Sequence, residues 1–129
     1  MTYRILSAEE LRALAAPNTD APLFRAHPGR GWGNVVHKDH AVPTVAEVHE
    51  WEMDVYLVLE GTATLTLGGT LLDATSPGAG QWRGTGITGG VDHSLAPGDC
   101  ILIPAGTPHM VDAQHSRLVY LVVKQDERP

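Results

Sequence analysis

The sequence predicts an all-β chain folded as one antiparallel barrel domain, and three observations lead there. Apolar residues fall in short runs at 54–59, 100–103 and 118–123, bounded by glycine, proline or polar residues. Runs of that length suit strands better than helices. Thr62, Thr64 and Thr66 alternate with Ala63, Leu65 and Leu67, the period-two pattern of a half-buried strand. The chain has 129 residues, 43 % of them hydrophobic, with 14 glycines, which suits one loop-rich domain with an adequate core.

Taken in order, Ser7-Ala8-Glu9-Glu10 is a capping box that opens a short helix running to Ala16, where Pro17 stops it. Residues 18–22 form a polar connection, Leu23-Phe24 a short strand, 27–33 a loop and 34–37 another strand. His37 and His40 flank a solvated turn at Lys38-Asp39, and with His27 they read as outside any site. Residues 44–51 form a strand in which Glu47 and His49, two apart, point the same way. Glu50 faces the other side and Glu52 lies in the following turn, both solvated. The run 54–59 is apolar on both parities, as in a central strand, with Asp54, Tyr56 and Val58 on one face. Gly68-Gly69 reads as a two-residue hairpin turn that returns the 62–67 strand into 70–73.

Residues 74–86 are rich in Gly, Ser, Thr and Pro and read as a loop carrying Gln81, Trp82 and Arg83. Residues 87–95 form a hairpin region bent at Gly89-Gly90, with His93 on the parity of Leu95. Pro97-Gly98 suits the middle of a type II turn. The run 100–103 then reads as a strand buried on both faces, with Cys100 an inert buried thiol. Pro104 ends that strand, and Gly106 and Pro108 shape a stiff approach to His109. Residues 111–115 continue from His109, and 118–123 form the last strand. The expected organisation is an N-terminal helix and connection (1–22), a barrel (23–124) and a polar tail (125–129).

The formal net charge of -6 offers no basic stripe for phosphates, which argues against nucleic acid as a partner. The single cysteine rules out an intramolecular disulfide. No long apolar span or signal-type segment is found, so a cytoplasmic protein without membrane contact is expected.

Two strings stand out: E-x-H-x4-D-x6-G from Glu47 to Gly61, and G-x5-P-x-G-x2-H from Gly98 to His109. Together they resemble the two signature motifs of the cupin superfamily, and with the segment between them they cover about half the chain. Glu47 stands where the first motif carries its first histidine, and Asp54 where it carries glutamate. The resemblance implies a double-stranded β-helix, a jelly-roll-like barrel, that commonly forms homodimers. It also implies that Glu47, His49, Asp54 and His109 converge inside one end of the barrel.

Two carboxylates facing each other in a low-dielectric cavity repel, and a divalent metal between them removes the conflict. Two imidazoles and two carboxylates leave coordination positions for water or substrate, and Fe, Mn, Ni or Zn all suit such a set. Without a metal, the carboxylates would be hydrogen-bonded or protonated and the pocket would only hold a small molecule. A register with His49 and Trp51 in the two histidine positions is the lesser alternative. Tyr56 and His93 are candidates for proton transfer or support of the ligands. Trp51, Trp82 and Arg83 are candidates for contact with a small-molecule substrate. The metal chemistry expected is that of a dioxygenase, isomerase or lyase acting on a small organic acid or ketone; the other reading is a non-catalytic binding or sensing barrel.

Overall fold

A computed structural model describes residues 3–26, 29–39, 44–113 and 117–129. His27, His40 and His115 lie outside the described residues. In chain order the elements are α1 (Ala8–Ala13), β1 (Asp20–Arg25), β2 (Gly31–Lys38), β3 (Ala46–His49), β4 (Glu52–Glu60), β5 (Ala63–Leu67) and β6 (Thr70–Leu72). They continue with β7 (Thr75–Gly78), β8 (Gln81–Gly84), β9 (Gly86–Thr88), β10 (Val91–Leu95), β11 (Cys100–Ile103), β12 (His109–Asp112) and β13 (Leu118–Asp126).

Helix α1 starts as its sequence predicts. The Ser7 side chain accepts from the Glu10 backbone N–H, and the Glu10 side chain accepts from the Ser7 N–H. Leu11 and Leu14 pack on Val35 and Val119 on the outer face of a five-stranded sheet ordered β1-β2-β13-β4-β11. A six-stranded sheet, β10-β5-β12-β3-β8-β7, and a β6-β9 pair complete the barrel, a double-stranded β-helix of jelly-roll type. The core draws on both large sheets: Val36, Tyr56, Val58, Ile103, Tyr120 and Val122 from the first, and Leu65, Leu95 and Val111 from the second.

The turns that deliver His109 follow their residues. The Asp99 N–H donates to the Ala96 carbonyl across Pro97-Gly98, and Gly98 has φ +90°, as a type II turn requires. After β11, the Thr107 N–H donates to Pro104 O, and the Gly106 N–H donates to His49 O at 2.8 Å. That last bond ties the second motif directly to the strand carrying the first.

Several expectations are corrected. Gly68-Gly69 has positive φ at both residues, yet β5 pairs with β10 and β12 while β6 pairs with β9. The glycines form a corner where the chain changes sheet, and β9 and β10 do not form a hairpin with each other. Residues 75–84 are a hairpin, β7-β8, whose second strand pairs with β3. Strand β11 lies at a sheet edge, so Leu102 is 64 % exposed and Cys100 is an exposed free thiol. Strand β2 begins at Gly31 and reaches Lys38, which buries His37 with its Nδ1 against the Ala15 carbonyl. Strand β1 already begins at Asp20, and β13 runs on to Asp126.

Candidate metal centre

Register places the site. On the six-stranded sheet His109 lies opposite Glu47, Glu47 opposite Arg83, and His49 opposite Gln81. On the facing sheet Lys124 of β13 lies between Trp32 of β2 and Asp54 of β4. The inward side chains of these two rows meet at one end of the barrel. Asp54, His49 and His109 are all buried, at 1 %, 7 % and 3 % exposure.

Both imidazoles are fixed by their outer nitrogens. His49 Nδ1–H donates to Gln81 Oε1 at 2.6 Å, and the Gln81 amide is itself oriented because its Nε2 donates to Glu52 Oε1 at 2.7 Å. His109 Nδ1–H donates to the Thr107 carbonyl at 3.0 Å. Each ring therefore turns an Nε2 lone pair inward, the arrangement that outer partners impose on metal-binding histidines.

The inward atoms are close. His49 Nε2 is 3.5 Å from both Glu47 Oε2 and Asp54 Oδ2. His109 Nε2 is 3.8 Å from Glu47 Oε2 and 3.4 Å from Asp54 Oδ2. Donors about 2.1 Å from a tetrahedral ion stand about 3.4 Å apart, so this spacing fits a single ion. Among the described residues, Glu47, His49 and His109 offer ligand atoms within 4.8 Å of one another. Asp54 Oδ2 and His109 Nε2 are buried without a hydrogen-bond partner among the described residues. Buried polar atoms of this kind ordinarily find a partner, and an ion between them would satisfy both.

One cation is already present. Lys124 Nζ lies 2.6 Å from Asp54 Oδ1 and 2.8 Å from His49 Nε2, and 5.6 Å from the centre of the Trp32 ring. Its side chain is 11 % exposed. Asp54 therefore bridges the two halves of the site, with Oδ1 on the lysine and Oδ2 facing the imidazoles.

The electrostatics follow from burial and neighbours. Burial works against the Glu47 carboxylate, but the hydrogen bond and charge of His49, helped by His109 and Lys124, hold its pKa down at about 2. For His49, burial opposes the charged form and Lys124 adds to that, but Glu47 and Asp54 outweigh both and raise its proton affinity. The ammonium at 2.8 Å is nearer than either carboxylate, and it needs the lone pair, so the geometry is that of neutral His49. Burial lowers the pKa of His109. Burial, with Tyr120 and the carboxylates of Asp54 and Glu47 nearby, keeps the Tyr56 hydroxyl protonated.

A cavity of about 520 Å³ opens beside these groups, lined by Trp32, Glu47, His49, Tyr56, Arg83 and Lys124 among others. Arg83 Nη1 pairs with Glu47 Oε1 at 3.4 Å. Of the other sequence candidates, Trp82 turns outward, where its Nε1–H donates to Glu50, and Trp51 stacks beneath Arg128 at 4.3 Å. Neither lines the cavity, and the exposed His93 on edge strand β10 does not either. Three contributors are not singled out by sequence pattern: Gln81 falls in an expected loop, Glu52 in an expected solvated turn and Lys124 just past the expected last strand (118–123).

No protein-family model matches the chain, and no curated protein does. Solved structures do share its fold. TT1209 from Thermus thermophilus is 26 % identical, with 92 % of this chain and 95 % of that chain covered at a TM-score of 0.62. A conserved protein with a double-stranded beta-helix domain from Klebsiella pneumoniae subsp. pneumoniae MGH 78578 is 16 % identical, with 97 % and 86 % covered and a TM-score of 0.66. The DMSP lyase DddQ from Ruegeria pomeroyi DSS-3 is 19 % identical at a TM-score of 0.53; 76 % of this chain is covered, and it spans only 39 % of that protein's length.

Proposed function

We propose that this chain, whose fold is a double-stranded β-helix barrel, is a cupin that binds one divalent transition metal through Glu47, His49 and His109, with Asp54 beside them, and acts on a small organic acid or ketone. The convergence of two inward Nε2 lone pairs on two carboxylates supports this most directly. The metal would be Fe, Mn, Ni or Zn, and when bound it would polarise a carbonyl or carboxylate oxygen or, as iron, activate O₂. The chain's own residues would do the rest. Arg83 and Lys124 line the cavity, each paired with a carboxylate, and with a divalent ion bound their charge would suit an anionic ligand. Tyr56, kept protonated and lining the cavity, would serve as a hydrogen-bond donor to the ligand.

Elemental analysis of untagged protein prepared without chelator, beside His109→Ala, tests the metal centre. One equivalent of transition metal in the parent and none in the variant is the expected result; full retention by His109→Ala would sink the assignment. A metal-free binding or sensing barrel is the second reading, and the Lys124 ammonium against Asp54 and His49 is the observation in its favour. No helix among the described residues is long and apolar enough to cross a membrane. A homodimer would have the exposed edge strand β11 available for pairing, and sedimentation of wild type against Leu102→Glu tests that.

A further inference from the structure

We propose that Lys124 is a built-in competitor for the metal position: its ammonium holds the lone pair of His49 that a metal must use, so metal loading requires the lysine to withdraw. The proposal rests on the metal-centre reading and concerns how that centre is filled.

The Nδ1 hydrogen of His49 is committed to Gln81, so the ring cannot turn over without breaking that bond, and the Gln81 amide cannot turn to follow it without breaking its own bond to Glu52. Only one lone pair, on Nε2, faces the site. Lys124 Nζ takes it at 2.8 Å. A metal ion ligated by His49 needs the same lone pair, so the two contacts exclude each other. Charge points the same way, because an ammonium within hydrogen-bond reach of a ligand atom repels a divalent ion bound to that atom.

The lysine has somewhere to go. Nζ already bonds Asp54 Oδ1 at 2.6 Å, and that oxygen is not the one facing the imidazoles. The Trp32 ring lies 5.6 Å from Nζ on the neighbouring strand, and both Trp32 and Lys124 line the large cavity. Rotation of the lysine toward Trp32 would free His49 while keeping the ammonium near Asp54 and an aromatic face. The cavity side of the centre would then carry a cation next to the bound metal, in position to meet an anionic ligand.

The test is metal affinity, measured as competition of Zn²⁺ and of Mn²⁺ against a chromophoric chelator on stripped protein. Wild type is compared with Lys124→Met, Lys124→Gln and Lys124→Arg, and thermal unfolding identifies which variants are folded. Lys124→Gln retains a donor for Asp54, so it serves if Lys124→Met fails to fold. Both neutral variants are expected to bind metal about tenfold or more tightly than wild type, since a hydrogen bond to a charged group no longer has to be broken. Lys124→Arg, which keeps the cation, should gain nothing. Equal or weaker binding by the folded neutral variants would overturn the competition and leave the metal centre standing. No binding by wild type or any variant would overturn both.

Discussion

Gln81→Met isolates the part of the site that sets the state of His49. Gln81 makes two side-chain bonds, accepting from His49 Nδ1 at 2.6 Å and donating to Glu52 at 2.7 Å. Methionine fills similar space and makes neither. Only the Lys124 ammonium on Nε2 then favours the Nδ1–H tautomer, and once it withdraws for a metal the tautomer with Nε2–H, which cannot ligate, becomes available. Loss of such an outer partner typically costs 10- to 100-fold in metal affinity, or about 1.4–2.8 kcal/mol. The low end is expected, because His109 keeps its own bond to Thr107. Stability should fall by about 1 kcal/mol for the neutral bond to His49 and by about 1.5–3 kcal/mol for the bond to the Glu52 carboxylate. Chelator competition gives the affinity and urea unfolding the stability. Trp82→Phe is the control: Trp82 is the next residue of β8 but turns outward to Glu50, so its loss should leave metal affinity unchanged. Wild-type affinity in Gln81→Met would refute the tautomer argument, and an equal loss in Trp82→Phe would trace the effect to the hairpin instead.

Gly61→Ala should destabilise by ~3 kcal/mol or more in urea unfolding, because Gly61 has φ +82° and an added Cβ would stand 1.7 Å from the Arg117 carbonyl oxygen. Asp54→Ala should weaken metal binding and also cost about 3 kcal/mol of stability, since it leaves the nearly buried Lys124 ammonium without its counter-ion; unchanged unfolding would show the pair to be dispensable. Metal-free protein should lose stability as pH falls from about 4.5 toward about 2: the Glu47 pKa is depressed on folding, so its contribution is full above the unfolded value and vanishes below the folded one. In Glu47→Gln that part of the stability–pH curve should flatten.

The two motifs made the centre of the site legible, because their spacing maps onto strand parity and turn chemistry, both local. Glu47 and His49 share a face by being two apart, and Pro97-Gly98 and Gly106 shape the turns that lead to His109. What local pattern could not show was strand partnership. Gly68-Gly69 has the same dihedral needs in a hairpin and in a corner between sheets, and only the pairing of β5 with β10 and β12 separates the two. The run 100–103 is as apolar as a central strand, yet it lies at an edge, which exposes Leu102. Gln81 reaches His49 only because β8 pairs with β3. Lys124 did carry a signal: it continues the parity of Tyr120 and Val122, both buried, so a strand extended by two residues turns it inward.

Charge at the site links metal to ligand. Next to the metal position Glu47 and Asp54 bring two negative charges, Lys124 and Arg83 two positive ones, and the histidines are neutral in the geometry seen, while Glu52 adds one more negative charge behind Gln81. A divalent ion would leave a positive excess in a site only partly open to solvent. Arg83, 55 % exposed in its side chain, can shed part of this into solvent; Lys124, at 11 %, cannot. An anionic ligand in the cavity would restore the balance, so metal and anion should each tighten the other's binding by the same factor. The coupling should be of the usual size, about 1–3 kcal/mol or 5- to 150-fold. The measurement is Zn²⁺ affinity with and without a simple monocarboxylate such as acetate or propionate, corrected for the weak complexes these form in solution. Tightening in wild type should shrink in Lys124→Gln, where one positive charge is already gone. An affinity indifferent to carboxylate would mean that the excess charge is met by water or by movement of the lysine alone, and the case for an organic acid as ligand would lose its electrostatic ground.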